Sequence, residues 1–281
     1  MNIVIEKWYG GVGNNIIQLK NAIGIAIIKN YNIILPENTN TYNVGNFVNK
    51  NYIIINCNIN KNCKKKTNYS NMTIKDSSFF VSLTVLEEEF KFDRKEFDVD
   101  KIISILKECL TIKNIPLLHT NDLVIHIRSG DIFKSNKPHT AYVQPPLCYY
   151  KNIIDKNKFN NISIVSEDDG NPCINELLKL YPNIYYKKQS LEEDIKTILG
   201  SKNIVCGFGT FASELLLLSD NLKNLYIPSY WYKRSDHYIN KALYDKNKIN
   251  DYISELDQYY KEQRPWKNTD KQKDYMIYYI I

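Results

Sequence analysis

The stretch Asn121–Asp131, NDLVIHIRSGD, decides the fold. Leu123 to Ile127 is an apolar, β-branched run of the kind that fills a strand buried on both faces, and Ser129-Gly130 breaks it. In an α/β fold the carboxyl end of such a strand opens on the ligand crevice. His126, Arg128 and Asp131 are therefore predicted to arrive at one place, carried by a rigid strand and a glycine turn. A guanidinium there suits a diphosphate, because its planar fork grips two phosphate oxygens while a carboxylate such as Asp131 holds the fork. The plainer alternative makes His126 a satisfied core imidazole and Arg128 with Asp131 an ordinary ion pair.

Three further stretches have the same strand-then-turn character. Asn2 to Ile5 is an apolar run followed by Gly10-Gly11-Val12-Gly13-Asn14-Asn15 and a helical pattern to about Asn30; the turn either admits a sugar or phosphate to the backbone or serves close strand-to-helix packing. Asn161 to Val165 is a strand ending in Ser166-Glu167-Asp168-Asp169. Its carboxylates accept hydrogen bonds from a base or ribose, hold a divalent metal, or cap the helix predicted over Pro172 to Tyr181. Asn203 to Cys206 is a strand leading into Gly207-Phe208-Gly209-Thr210-Phe211 and an apolar helix over Ser213 to Leu218, a pattern that fits a phosphate-cradling turn or a tight turn before a core helix. Between these lies Tyr142 to Ile154, YVQPPLCYYKNII, in which Pro145-Pro146 starts a helix with Leu147, Tyr150, Ile153 and Ile154 on its apolar face.

The run H-x-R-x-G-D after a strand resembles the signature of the GDP-fucose-dependent fucosyltransferases of the α1,2, α1,6 and protein-O types. The order of parts, glycine loop, H-x-R-x-G-D, acidic strand end and G-T-F turn, resembles that superfamily from about residue 3 to 230. The resemblance implies an α/β, GT-B-like fold of two Rossmann-like lobes with a cleft between them. It implies that Arg128 contacts the donor diphosphate, with Asp131 beside it as the second catalytic candidate and His126 as a donor contact. Ser129 stands where the motif has a second arginine. Glu167 and Asp168 would meet the base or ribose, and Gly209, Thr210 and Phe211 the donor phosphate. Gly11, Gly13, Asn14 and Asn15 match a G-G-x-G-N loop lining the cleft, and Tyr142 and Gln144, in an element like Q-P-P-L-x-Y-Y, would face an acceptor sugar. The activity implied is inverting, metal-independent transfer of fucose from GDP-fucose to a glycan hydroxyl, with the nucleotide sugar as co-substrate and no other cofactor. Two alternatives stay open: another UDP- or GDP-linked pentose or deoxysugar as donor, and a non-catalytic carbohydrate- or nucleotide-binding protein.

The bulk properties agree with an enzyme of this size. A chain of 281 residues, 43% hydrophobic and 12% aromatic, has ample material for packed cores. We expect a first, acceptor-side lobe over 1–118, a second, nucleotide-sugar lobe over 119–265, and a tail over 266–281 folding back on the first. The net charge of +6 arises from 37 basic and 31 acidic residues that are interleaved, without the basic block that tracks a nucleic acid backbone; Lys64-Lys65-Lys66 reads as a solvated loop. Six cysteines, Cys57, Cys63, Cys109, Cys148, Cys173 and Cys206, show no C-x-x-C spacing and read as free thiols. The start MNIVIEKWYGG reads as a strand rather than a leader, and no apolar run is long enough to span a membrane. The expected location is therefore the cytoplasm, and the sequons at Asn68 and Asn71 follow from asparagine richness. Strands are also expected at Tyr31 to Leu35, Tyr52 to Cys57, Ser78 to Val85 and Leu225 to Pro228. Helices are expected at Asp98 to Leu110, Leu191 to Leu199 and Asn250 to Tyr260, with SYWYKRSDHY after Pro228 rimming the cleft.

Overall fold

The computed structural model describes residues 2–5, 8, 10–35, 53–55, 58–60, 71–73, 83–110, 112–228, 249–251 and 256–280. Cys57, Cys63, the Lys64–Lys66 loop, the sequon asparagine Asn68 and the aromatic stretch after Pro228 lie outside them. The chain divides into two compact units, Met1–Lys113 with Ser213–Leu218, and most of the remainder from Asn114 onward. The division falls at Lys113, close to the expected boundary at Leu118.

The first unit contains β1 (Asn2–Val4), α1 (Val12–Lys29), β2 (Asn32–Ile34), β3 (Ile53–Ile55), β4 (Asn58–Asn60), β5 (Asn71–Thr73), α2 (Leu83–Phe90) and α3 (Val99–Cys109). Its sheet runs β4-β3-β2-β1-β5. β1 is parallel to both β2 and β5, whereas β2-β3 and β3-β4 are antiparallel, so this unit is a mixed sheet rather than the Rossmann arrangement expected. Residues 83–85, expected in a strand, are helical because Leu86 and Phe90 bury one side of a helix that carries Glu87, Glu88 and Glu89 on its more exposed side. α3 matches its expected span and is capped by the Asp98 carboxylate, which accepts from the Lys101 N–H at 3.0 Å. Within this unit the fully buried Glu214 carboxylate accepts from Lys20 Nζ at 2.7 Å.

The second unit contains β6 (Leu123–His126), α4 (Asp131–Lys134), α5 (Leu147–Lys156), β7 (Ile162–Val165), α6 (Pro172–Leu180), β8 (Ile184–Tyr186), α7 (Leu191–Gly200), β9 (Asn203–Cys206), the start of α8 (Thr210–Leu215, whose last three residues belong to the first unit), β10 (Asn224–Ile227), β11 (Ile249–Asp251), α9 (Leu256–Gln263) and α10 (Asp270–Tyr278). Its six strands run β11-β10-β9-β6-β7-β8, every neighbouring pair parallel. Read from the other edge, this is the doubly wound order in which the chain starts at the middle, winds one way, then returns and winds the other. β6 is completely buried, as a central parallel strand must be. Ile249–Asp251, of which residues 250–251 were expected at the start of a helix, pair as an edge strand with β10.

The tail corrects the expectation that it packs on the first lobe. Trp266, fully buried, meets Phe133 edge-on at 5.4 Å and donates from Nε1 to the Ile132 carbonyl, and Asn268 donates to the Phe133 carbonyl. Tyr259, Trp266 and Met276 belong to the core of the second unit, because burying an indole and a phenol here also satisfies their polar atoms. The thiols of Cys109, Cys173 and Cys206 are buried and Cys148 half-buried, and none of the four is in a disulfide. Burial pushes the Cys109 thiol up to about 12, so it packs as a small hydrophobe. None of the described helices is long and apolar enough to cross a membrane.

Candidate active site

In a doubly wound sheet, ligands bind beyond the carboxyl ends of the two strands at which the winding reverses. Here those strands are β6 and β9, and they are in register, with His126 opposite Cys206. The Gly207 N–H extends the pairing by donating to the His126 carbonyl at 3.1 Å. Two residues past His126 is Arg128; three past Cys206 is Gly209. A Cβ on Gly209 would lie 3.3 Å from both Cδ and Nη1 of Arg128, so the arginine side chain rests directly against the turn that follows β9. Gly209 itself has φ 154°, a conformation that side chains resist.

Arg128 is held on other sides as well. Its Cζ lies 4.3 Å from the centre of the Tyr142 ring, and Nη2 donates to Asp131 Oδ1 and Oδ2 at 3.3 and 3.4 Å. Asp131 lies in the first turn of α4, and its side chain is largely exposed. His126 is nine-tenths buried, its ring 5.5 Å from Phe211. Burial, with the charge of Arg128 second, pulls the imidazole down to about 3, so it is neutral at physiological pH. Its Nδ1 has no hydrogen-bond partner among the described residues.

Asp168 lies under the turn rather than in the open. Its Oδ1 accepts from Ser129 Oγ at 2.5 Å, from the Gly170 N–H at 3.0 Å and from the Gly130 N–H at 3.3 Å, and its Oδ2 meets Lys134 Nζ at 2.5 Å. Burial disfavours its charge, but the hydrogen bonds from Lys134, Ser129 and the two backbone donors outweigh that and hold the carboxyl well below the usual carboxylate range. The expected donor contact is thus a fastener joining the exits of β6 and β7. Ser129, in the place of a second motif arginine, is the other half of that fastener. Gly130 has φ 61°, and a Cβ there would strike the Glu167 carboxylate at 2.1 Å, which places Glu167 over the same turn. α6 is capped by Asn171, whose Oδ1 accepts from the Cys173 N–H at 3.0 Å, not by a carboxylate.

Gln144 is also a fastener. It is fully buried and its Nε2 donates to the carbonyls of Tyr142 (3.2 Å) and Phe208 (3.1 Å). Its Oε1 would lie 3.1 Å from a Cβ on Gly207, so the amide packs closely against that glycine. His126, Arg128, Asp131, Tyr142, Gln144, Gly209 and Phe211 are thereby brought together, with Thr210 beginning α8 beside them.

The expected cleft residues Gly11, Gly13, Asn14 and Asn15 belong to the first unit. Gly11 caps α1, and Gly13, Asn14 and Asn15 fall in its first turn, where Gly13 and Asn15 are buried and Asn15 Nδ2 donates to Gln18 Oε1 at 3.3 Å. The glycine the backbone demands is Gly10, with φ 68° and the Asn14 amide 2.5 Å from any Cβ. Beyond the expected set stands Asp194, in the first turn of α7. It is buried, and burial pushes its carboxyl up to about 6, with Gln189 donating to it at 3.3 Å. Its sequence signal is helical phase: Leu191, Asp194, Ile195 and Ile198 share one face, so a charge occupies an inward position. Among the described residues no group of three or more His, Cys, Asp or Glu side chains is arranged to hold a metal ion.

No family model matches the chain, and no curated protein sequence matches it. Among solved structures, NodZ α-1,6-fucosyltransferase soaked with GDP-fucose is similar, with 7% sequence identity, a TM-score of 0.44, and coverage of 80% of this chain and 93% of that one.

Proposed function

We propose that the protein is a glycosyltransferase of GT-B type that takes a sugar from a nucleoside diphosphate, with GDP-fucose as the first donor to test and a glycan hydroxyl as acceptor. One observation carries the reading: the Arg128 guanidinium lies against the Gly209 turn, bridging the carboxyl ends of the two strands at the winding reversal. The H-x-R-x-G-D and G-T-F resemblances add the nucleotide sugar to that geometry. As the glycosidic bond breaks, charge builds on the leaving diphosphate, and a prearranged cation stabilises it more than it stabilises the ground state. The acceptor hydroxyl then attacks from the opposite face, inverting the anomeric carbon. Asp131, mostly exposed and bonded to Nη2, steadies the fork, and the neutral His126 supports Phe211 rather than donating a proton. Asp194, a buried carboxylate near the exits of the same sheet, is suited to accept from the donor's base or ribose.

Arg128→Ala is expected to abolish transfer while leaving the far-ultraviolet spectrum and melting temperature unchanged. Slow hydrolysis of one member of a nucleotide-sugar panel by the wild type would identify the donor. Full activity in the purified variant removes Arg128 from the mechanism. The transfer is proposed to be metal-independent, so EDTA should leave its rate unaltered; loss restored by manganese would contradict that.

A further inference from the structure

We infer that Tyr142 is a positioning residue for Arg128, its ring forming a platform that fixes the plane of the guanidinium, rather than a contact for the acceptor sugar. The inference rests on the diphosphate role proposed for Arg128. The other holds on that side chain are weak. Both bonds to Asp131 are long, at 3.3 and 3.4 Å, and that carboxylate is 69% exposed. Gly209 lies against the side chain, a Cβ there falling 3.3 Å from its Cδ and Nη1. An aromatic face 4.3 Å from Cζ supplies what is missing, attraction to the cation together with a fixed orientation, and leaves the N–H edge of the fork for phosphate oxygens.

The platform is itself built to stay put. The Tyr142 ring is flanked by His139 at 4.7 Å and meets Phe208 edge-on at 5.4 Å. Its backbone is tied twice: the N–H donates to the His139 carbonyl, and the carbonyl accepts from the buried Gln144 amide. The segment is then bolted to the C-terminal helices, since Tyr259 O–H donates to the Gln144 carbonyl at 3.0 Å and the Trp266 N–H donates to the Thr140 carbonyl at 2.9 Å. A loop needed only to meet an acceptor has no reason to be anchored so firmly under an arginine. This also gives the tail, remote in sequence, a part in the site.

The test is a double-variant cycle read by calorimetric titration with GDP and with UDP, using whichever binds the wild type. Tyr142→Phe, which keeps the ring, should bind like the wild type. Tyr142→Leu should weaken binding about tenfold, yet change nothing further on an Arg128→Ala background. Equal weakening on both backgrounds, or none on either, overturns the inference. Should Tyr142→Leu fail to fold, phenylalanines of increasing fluorination at position 142 keep the shape and drain the ring face; affinity should fall stepwise with fluorination, and constant affinity overturns the platform. The underlying reading fails separately, if neither nucleotide binds or if Arg128→Ala binds as tightly as the wild type.

Discussion

Replacing Asp168 by asparagine should unfasten the turn that carries Arg128, and the cost follows from its contacts. Three donors, Ser129 Oγ and the N–H groups of Gly130 and Gly170, end on one buried carboxylate oxygen. Hydrogen bonds to a charged acceptor exceed neutral ones by about 1 kcal/mol each, and the relieved burial of a charge offsets part of the sum, leaving about 2 kcal/mol. Lys134 is two-thirds exposed and is counted at zero. The pH dependence has a definite sign. The carboxyl is depressed in the folded chain and titrates near pH 4 when unfolded, so its stabilisation is complete above about pH 4 and is withdrawn as pH falls toward the depressed folded value. Urea unfolding of wild type and variant, followed by circular dichroism at pH 7, 5 and 3.5, should therefore show a constant gap at the first two values and a smaller one at the third. A gap that persists undiminished at pH 3.5, or is absent at pH 7, refutes the fastener.

Asp194 should behave in the opposite sense. Its folded carboxyl is raised to about 6, so the folded state loses stability as pH rises from about 4 through 6. Asp194→Asn should raise the melting temperature at pH 7.5, with the gain vanishing near pH 4 in a pH series of thermal melts. Gly209→Ala should weaken nucleotide binding through Arg128, since the new methyl at 3.3 Å displaces the guanidinium and φ 154° opposes a side chain; titration with GDP or UDP checks this. Gly11→Ala meets nothing within 4 Å and should leave the melting temperature unaltered. A fall in transfer rate without a fall in that temperature would then report a ligand approaching the α1 turn.

How much of this was legible in the sequence depends on how far apart the interacting residues lie along it. The central strands were readable, since β6, β7 and β9 are short, mostly apolar and largely buried runs, each followed within a few residues by a serine or glycine that breaks the run. The edge strands were not: β8 is three residues with Tyr185 exposed, and β11 precedes a tyrosine-rich segment whose spacing suits a helix. The tail was misplaced because Trp266 and Tyr259 say only that they must be buried, not against what. That Asp168 lies under a turn could not be read from the sequence, because a strand-end carboxylate looks the same there whether it faces a cavity or a turn. Its partner Ser129 is 39 residues away, and only the pairing of β6 with β7 sets the two exits side by side.

The same register argument explains why two motifs 80 residues apart form one site. Parallel pairing of His126 with Cys206 fixes the two strands at their ends, so the residues that follow each must diverge or touch within a few positions. They touch, because Gly207 continues the pairing for one more hydrogen bond and Gly209 leaves the space a side chain would fill. Had the chain wound in one direction only, a crossover would fill the gap above the two strand ends. The reversal leaves that gap open, and the strand on which the winding begins delivers Arg128 to the turn at its far side.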